Sequence, residues 1–387
     1  MMITTSQAPS VPKGWSIVRL ADVGSFMSGS GFPLVYQGIT SGDIPFFKVS
    51  DFSNPGNKRA LRRANHYIGE ATRREMCARL FPENAIAFAK IGAAIFLERK
   101  RIIKQASCLD NNMAAFVLSS PEISRDLILA LLQNFSLGSL VSSTALPAIS
   151  SADLKNIAFP LPDDLKEQEA IAEALSDTDA LIEGLERLIA KKRLIKQGAM
   201  QELLTGRRRL PGFSGEWVER NLGSVAMLQR GFDLPNSVRT DGDFPVVYSN
   251  GIIATHTNFM CEGPGVITGR SGTIGNVTFV QTQYWPHNTA LWVKNFFGND
   301  VRFVFYLLQF IDLRRFASGS GVPTLNRNDA HADLVRVPID VVEQVAIRSI
   351  LDDINTEIQA LETRLEKTQQ VKEGMMQNLL TGRIRLV

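Results

Sequence analysis

The chain has 387 residues, 44% of them apolar, with 42 Lys and Arg against 39 Asp and Glu. That length predicts two or three domains with ordinary cores, and a net charge of +3 selects no partner by itself. Cys77, Cys108 and Cys261 share no CxxC spacing, which predicts reduced thiols in the cytoplasm, and no apolar run approaches the roughly 18 residues of a membrane-spanning helix.

In chain order, MMITTSQAPSVPKGW has no apolar core and reads as a short tail rather than a signal peptide. IPFFKV, NAIAFA and MAAFVL, bounded by Gly, Pro and Asn, predict strands, and residues 125–135 predict a short helix. A polar loop, SSTALPAISSADL, then leads into a strand-like AFPLP. From residue 163 the pattern changes to apolar positions four and three apart: Ile171, Leu175, Thr178, Ile182, Leu185 and Ile189. Charged residues surround this stripe, as in a coiled-coil seam. It loosens at Lys192 and Lys196, and Thr205-Gly206 supplies a helix stop with basic residues beyond it, where they suit the helix dipole.

The chain then repeats itself. Trp217, Leu222, Val225, Gly231 and Pro235 match Trp15, Leu20, Val23, Gly29 and Pro33 at an offset of 202; Gly242, Asp243 and Pro245 match Gly42, Asp43 and Pro45 at 200. FPVVYS, GVITG, NVTFV and ALWV predict strands, residues 302–310 a helix, and SGSGVPTLNRNDA a loop before VRVPI. By Asn288, Ala290 and Val293, read against Asn112, Ala114 and Val117, the offset is 176, so the second globular unit is 26 residues shorter through its middle. Pro162, Glu167, Gln168, Ala170 and Ile171 then return as Pro338, Glu343, Gln344, Ala346 and Ile347, and LLTGRRRL returns as LLTGRIRL. The second stripe is Ile347, Leu351, Ile354, Ile358, Leu361 and Leu365, loosening at Thr368 and Lys372.

Each stripe predicts a helix of about 40 residues, or roughly 60 Å at 1.5 Å per residue. An amphipathic helix lying on its own domain is one alternative, but that length overhangs an ordinary domain and the chain supplies a partner helix. The expected fold is therefore α+β: two globular domains, residues 1–162 and 207–338, separated by two long antiparallel coiled-coil helices, residues 163–206 and 339–387, with an internal pseudo-twofold duplication. Leu181, Leu188, Ile195 and Val371 fall outside the seam and either serve a partner protein or widen the internal stripe.

Catalytic patterns are missing. There is no GxxxxGK[ST] and no GxGxxG opening a helix, and His66, His256, His287 and His331 lack metal-ligand spacing. Acidic pairs such as Asp163-Asp164 and Asp352-Asp353 suit helix starts and solvated faces. A binding and assembly role is expected, with no cofactor or metal held by this chain.

Local charge points to the ligand. Residues 48–104 hold thirteen Lys and Arg against five Asp and Glu, among them Arg59, Arg62, Arg63, Lys90, Arg99, Lys100, Arg101 and Lys104, interleaved with Phe46, Phe47, Phe52 and Tyr67. Such a block suits phosphates, although a solvated basic face has the same composition. In the second unit the candidates are Arg270 and Ser271 in TGRSGTIGN, Asn288-Thr289 and Asn326-Arg327; Arg and Asn make bidentate contacts to guanine and adenine edges. Gly269, Gly272 and Gly275 either admit a DNA backbone or only form turns.

These residues together carry a resemblance. Two variable α+β units, each with a Trp-x4-Leu start, a GxxxP loop, a proline loop at Pro147 or Pro323, a Pro-x4-Glu-Gln-x-Ala-Ile helix start and an LLTGR-type end, resemble the specificity subunit of type I restriction-modification systems over essentially the whole chain. The resemblance implies target recognition domains reading double-stranded DNA at a bipartite, asymmetric site, with the helices as a spacer. It also implies a subunit without its own catalytic centre, joined by two methyltransferase subunits using S-adenosylmethionine and two restriction subunits using ATP and Mg. Rival readings are a structural coiled-coil adaptor and a metal-dependent phosphodiesterase with a regulatory coiled coil.

Overall fold

Residues 11–141, 146–319 and 323–386 are described by the computed structural model. Most of the expected N-terminal tail lies outside the described residues, as do residues 142–145 and 320–322 within the two expected polar loops. The described chain divides into two units, one comprising Met1–Glu183 with Glu366–Val387, the other Gly184–Leu365. Each therefore contains one globular region and a portion of both long helices.

In the first unit, Trp15–Arg19 pairs antiparallel with Ala158–Pro162, Trp15 opposite Pro162. A five-stranded sheet runs in the order Gly24–Ser28, Met113–Leu118, Ile86–Ala89, Lys100–Ile103 and Ala60–Leu61. A four-stranded sheet runs His66–Ile68, Ile44–Phe47, Ser107–Leu109 and Leu80–Phe81. Ile44–Phe47 and Ile86–Ala89 are buried at every position, which explains why both read as continuous apolar runs rather than as alternating ones. Helix Arg125–Asn134 starts at Ser124, whose hydroxyl accepts the Leu127 amide. Its Leu127, Ile128, Leu131 and Leu132 enter a core with Trp15, Leu161, Ile171, Leu175, Leu379 and Leu380.

The second unit repeats this plan on a smaller scale. Trp217–Asn221 pairs with Leu334–Pro338; a four-stranded sheet runs Met227–Arg230, Ala290–Asn295, Gly265–Gly269 and Val277–Val280. Gly251–His256, Phe244–Tyr248 and Trp285–Pro286 form a three-stranded sheet. Helix Val301–Phe310 is capped by Asp300 and packs in a core with Trp217, Leu222, Leu203, Leu204, Ile347 and Leu351. Backbone pairing corrects the register of the repeat in one place. The Gly29 amide donates to the Met113 carbonyl and the Gly231 amide to the Ala290 carbonyl, so Met113 matches Ala290 at an offset of 177, one more than the letters suggest. Short apolar strands of similar composition align equally well one residue out, whereas hydrogen bonds do not. The offset reaches 176 at Ser124 and Asp300, whose amides both donate to a glutamine side chain.

The long helices are Leu165–Leu203 and Val341–Leu379, 39 residues each. In the first unit the early part of one lies beside the late part of the other: Lys372 Nζ is 2.6 Å from Asp179 Oδ1, and Thr178 Oγ1 is 3.5 Å from Met375 Sδ. In the second unit the order is reversed, with Arg193 2.6 Å from Glu362, Lys196 2.8 Å from Asn355, and Lys192 paired to Glu357. Within each unit the pairing is thus antiparallel. Ile171, Leu175, Leu185, Ile189, Ile347, Leu351 and Ile358 are buried, while Ile182, Ile354, Leu361 and Leu365 are half-buried. Where the apolar stripe loosens, Lys192, Lys196 and Lys372 bridge the helices through their polar ends. Leu181, Leu188, Ile195 and Val371 are exposed and do not widen the seam.

The motifs that occur twice form the frame of each unit. Glu167, with 1% of its side chain exposed, takes a bidentate ion pair from Arg385, whose guanidinium lies 5.9 Å from the Trp15 ring centre. Glu343, also 1% exposed, takes one from Arg209, which lies 5.7 Å from Trp217. A buried carboxylate needs such a partner, and a planar guanidinium supplies two hydrogen bonds while stacking on the indole. The adjacent glutamines also act alike: Gln168 donates to the Pro162 carbonyl and Gln344 to the Pro338 carbonyl, each at 2.9 Å. Gly206 and Gly382 both have φ of +68° and lie against Trp217 and Trp15, which is why the helices end in Thr-Gly. Arg209 and Arg385 serve the opposite helix's start; the expected dipole role at their own helix ends does not describe them.

Candidate nucleic-acid interface

The basic block of the first unit separates into free and committed side chains. Arg62 and Arg63 are exposed, and among the described residues neither guanidinium has an ion-pair partner. Arg59 is 2.9 Å from Glu183 on the first long helix. Arg99 Nη1 donates to Ser53 Oγ at 2.7 Å and Lys90 Nζ to Ser28 Oγ at 2.8 Å, both residues being half-buried. Lys104 is half-buried, and its amide donates to the Leu61 carbonyl at 3.1 Å.

Lys100 leaves the candidate set. It is fully buried, its ammonium pairs with Glu98 and donates to the Phe135 carbonyl at 2.8 Å, and burial pushes its pKa down despite that pairing. Arg101 is half-buried; its Nη1 donates to the Lys100 carbonyl at 2.8 Å, and burial and neighbouring Arg99 lower its pKa. Glu98 is itself buried enough to oppose ionisation. Its bonds from Lys100, the Gly138 amide, Ser136 and the Leu137 amide outweigh that and hold the carboxyl below its usual range. The interleaved aromatics are also structural: Phe46, Phe47 and Phe52 are buried, so they fill the core and are not stacking platforms for bases.

In the second unit the fold brings the dispersed candidates together. The Arg270 and Ser271 amides both donate to the Thr289 carbonyl, at 2.9 and 3.1 Å, and the Leu325 amide donates to the Arg270 carbonyl at 2.7 Å. Residues 270–271, 288–289 and 324–327 therefore meet at one end of the four-stranded sheet. Arg270 Nη1 reaches the Asn288 carbonyl at 3.4 Å, and the Asn288 carboxamide donates to Asp233. Asn326 caps helix Arg327–Ala332 by accepting the Asn328 amide, so its side-chain oxygen has a structural use. Arg327 is exposed. A Cβ on Gly269 would lie 1.8 Å from the Thr273 carbonyl oxygen, so that glycine is required by the turn itself. Gly272 lies at φ +79°, a backbone conformation that favours glycine, and a Cβ there would meet only Ser249 Oγ, at 4.0 Å.

Two side chains in this cluster had no signal in the linear sequence. His287 stacks on Tyr248 with ring centres 4.2 Å apart and shares a hydrogen bond with Thr289 at 3.0 Å; burial lowers its pKa. The His287 amide bonds to the Val247 carbonyl as the Asp110 amide bonds to Phe47, so the two units carry a histidine and an aspartate at one scaffold position. By the same reasoning Lys90 corresponds to Arg270: each donates its amide across to the neighbouring strand's end and accepts at its carbonyl from Ile149 or Leu325. Among the described residues no group of three or more His, Cys, Asp or Glu is placed to hold a metal ion, and no helix is long and apolar enough to cross a membrane.

The molecule is thus an internally duplicated α+β protein, with paired long helices and, in the second unit, half-buried Arg270, Asn288 and Thr289 beside exposed Asn326 and Arg327. The model of the type I restriction modification DNA specificity domain matches residues 12–191 and again residues 214–373, so the chain belongs to that family. A putative type I restriction enzyme MjaX specificity subunit from Methanocaldococcus jannaschii is 24% identical over 266 residues. That alignment covers 62% of each chain, less than two thirds of the relative's length. The fold is similar to the type I restriction-modification S subunit from M. genitalium, with a TM-score of 0.67, 16% identity and 98% of each chain covered. A chain from a solved type I R-M system gives a TM-score of 0.54 at 14% identity, covering 97% of this chain and all of the other.

Proposed function

We propose that this chain is the non-catalytic, sequence-specific DNA-binding subunit of a type I restriction-modification complex, reading a bipartite, asymmetric site in double-stranded DNA. The observation that carries the reading is the specificity-domain match occurring twice, on one repeated frame whose intervening loops differ. Identical frames with different loops are what two readers of unlike half-sites require. In this reading residues 1–162 and 207–338 are the recognition domains, and residues 163–206 and 339–387 are the spacer helices. Arg62, Arg63, Lys90, Arg99, Arg101 and Lys104 supply phosphate contacts in the first domain, with Arg59 available on leaving Glu183. Arg270, Ser271, Asn288, Thr289, Asn326 and Arg327 form the reading cluster in the second, where guanidinium and carboxamide groups suit base edges.

Two methyltransferase and two restriction subunits are the proposed partners, bringing S-adenosylmethionine, ATP and Mg in the cytoplasm, while this chain holds no cofactor of its own. The relatives named above are specificity subunits, which favours this reading over the adaptor and the phosphodiesterase. Methylation-sensitive sequencing of the host with and without the gene tests the proposal. A split adenine-methylated motif is expected to disappear with the gene, and no change in any such motif would refute it. Exchanging residues 48–104 with those of a relative is expected to alter one half of that motif alone. Inserting four residues near Gln201 is expected to lengthen the unread spacer while both halves persist.

A further inference from the structure

The arginine-bearing loop of the first unit is held from beneath by one side chain. Asn57 is fully buried. Its Oδ1 accepts the amides of Arg62 at 3.0 Å and Arg63 at 3.2 Å, and its Nδ2 donates to the carbonyls of Asp51 at 2.9 Å and Arg63 at 2.8 Å. Both donors and both acceptor positions of the carboxamide are used on backbone, which leaves nothing for a ligand. Asp51, also fully buried, meets the same segment from the other side. Its Oδ1 accepts from the Asn65 amide and the Asn54 carboxamide, each at 2.9 Å, and its Oδ2 from the Lys48 amide at 2.7 Å. The path of residues 62–65 is therefore fixed without recruiting the arginine side chains, which remain exposed and unpaired among the described residues.

This loop is peculiar to the first unit. Phe47 and Val247 match at an offset of 200 but Lys90 and Arg270 at 180, so the first unit has 20 more residues between those points. Both units pair the corresponding strands antiparallel, Ile44–Phe47 with His66–Ile68 and Phe244–Tyr248 with Gly251–His256, but the stretch between the strands is residues 48–65 in the first and only 249–250 in the second. A surface loop that spends a fully satisfied, buried Asn–Asp pair on its own backbone, and displays two uncommitted guanidinium groups, is built to meet an anion without reordering. We propose that Asn57 is a positioning residue that holds the Arg62-Arg63 segment as a preformed clamp for DNA phosphates. The inference rests on the DNA-binding reading above and specifies a role within it.

The test uses the full chain and a mixed-sequence DNA duplex, with affinity measured over a series of salt concentrations. Arg62→Gln with Arg63→Gln is expected to lower the slope of log affinity against log salt by about 1.8, two phosphate contacts at about 0.9 each. Asn57→Ala is expected to lower it by at least half as much with both arginines in place, and the arginine exchanges then add little further. If Asn57→Ala does not fold, Asn57→Ser, which keeps one hydrogen-bonding group in the cavity, provides the same comparison. An unchanged slope for the arginine pair, or full additivity between Asn57 and the arginines, overturns the clamp. Failure of the unaltered chain to bind the duplex at any salt concentration instead removes the DNA-binding reading itself.

Discussion

The two units share a frame and differ in what the frame carries. Glu167, Arg385 and Trp15 in one correspond to Glu343, Arg209 and Trp217 in the other, and Gln168 corresponds to Gln344, each making the same kind of contact. Between these anchors the first unit displays a cationic loop braced by Asn57, whereas the second gathers Arg270, Asn288 and Thr289 at a sheet end. Each buried ion pair requires both partners and a fixed backbone, so the frame tolerates little change. Exposed loop side chains carry no such obligation, and functional difference accumulates there.

The largest test of this equivalence removes the tryptophans. Trp15→Ala and Trp217→Ala are each expected to destabilise their unit by about 3–5 kcal/mol, read from chemical denaturation of the two variants. Costs that differ by more than about twofold would break the correspondence. A smaller substitution sharpens it. Trp217 Nε1 is 3.3 Å from both Glu343 carboxylate oxygens, whereas Trp15 Nε1 is buried with no hydrogen-bond partner among the described residues. Trp217→Phe should therefore cost about 1 kcal/mol more than Trp15→Phe in the same measurement. Equal costs would mean that the indole hydrogen bond contributes nothing.

The smallest expected difference depends on pH. His331 Nε2 accepts the Leu228 amide at 2.8 Å, and Lys155 stands at the corresponding helix position in the first unit. Burial, then the charge of Arg327, lowers the imidazole below its ordinary 6.5. The unfolded chain consequently binds a proton before the folded one does. This contribution to stability is present above about 6.5 and is lost as pH falls through the folded value. Thermal unfolding of the chain and of His331→Gln across that range is expected to converge on acidification; parallel curves would exclude a role for this histidine.

The duplication and both helices are legible in the sequence because the repeated letters are framework contacts, and a glutamate that must meet a particular arginine keeps both. The apolar stripe is legible for a different reason: Ile171, Leu175, Ile347 and Leu351 are buried at helical spacing, but they enter the globular core of their own unit, the first two with Trp15 and Leu161, the others with Trp217 and Leu222. Individual site residues are harder to read. Composition places Lys100 among the surface cations, but its partners include the carbonyl of Phe135, which is distant in sequence. Phe46 and Phe47 look like interleaved aromatics until both faces of their strand are found to be covered. Asn57 and Asp51 are ordinary loop letters whose importance lies in backbone groups that sequence does not display. The meeting of Arg270 with Asn288 and Leu325 depends on strand order, which pattern alone leaves open.

The two ion-pair clasps also differ in how much chain they enclose. Glu343 finds Arg209 across 134 positions, but Glu167 finds Arg385 across 218. During synthesis, the second unit has all of Gly184–Leu365 available before Glu366–Val387 has been made, and the first unit needs that later segment. The half that the ribosome begins first therefore cannot form its clasp until Glu366–Val387 has been made, since Trp15 and Glu167 lack their arginine before then.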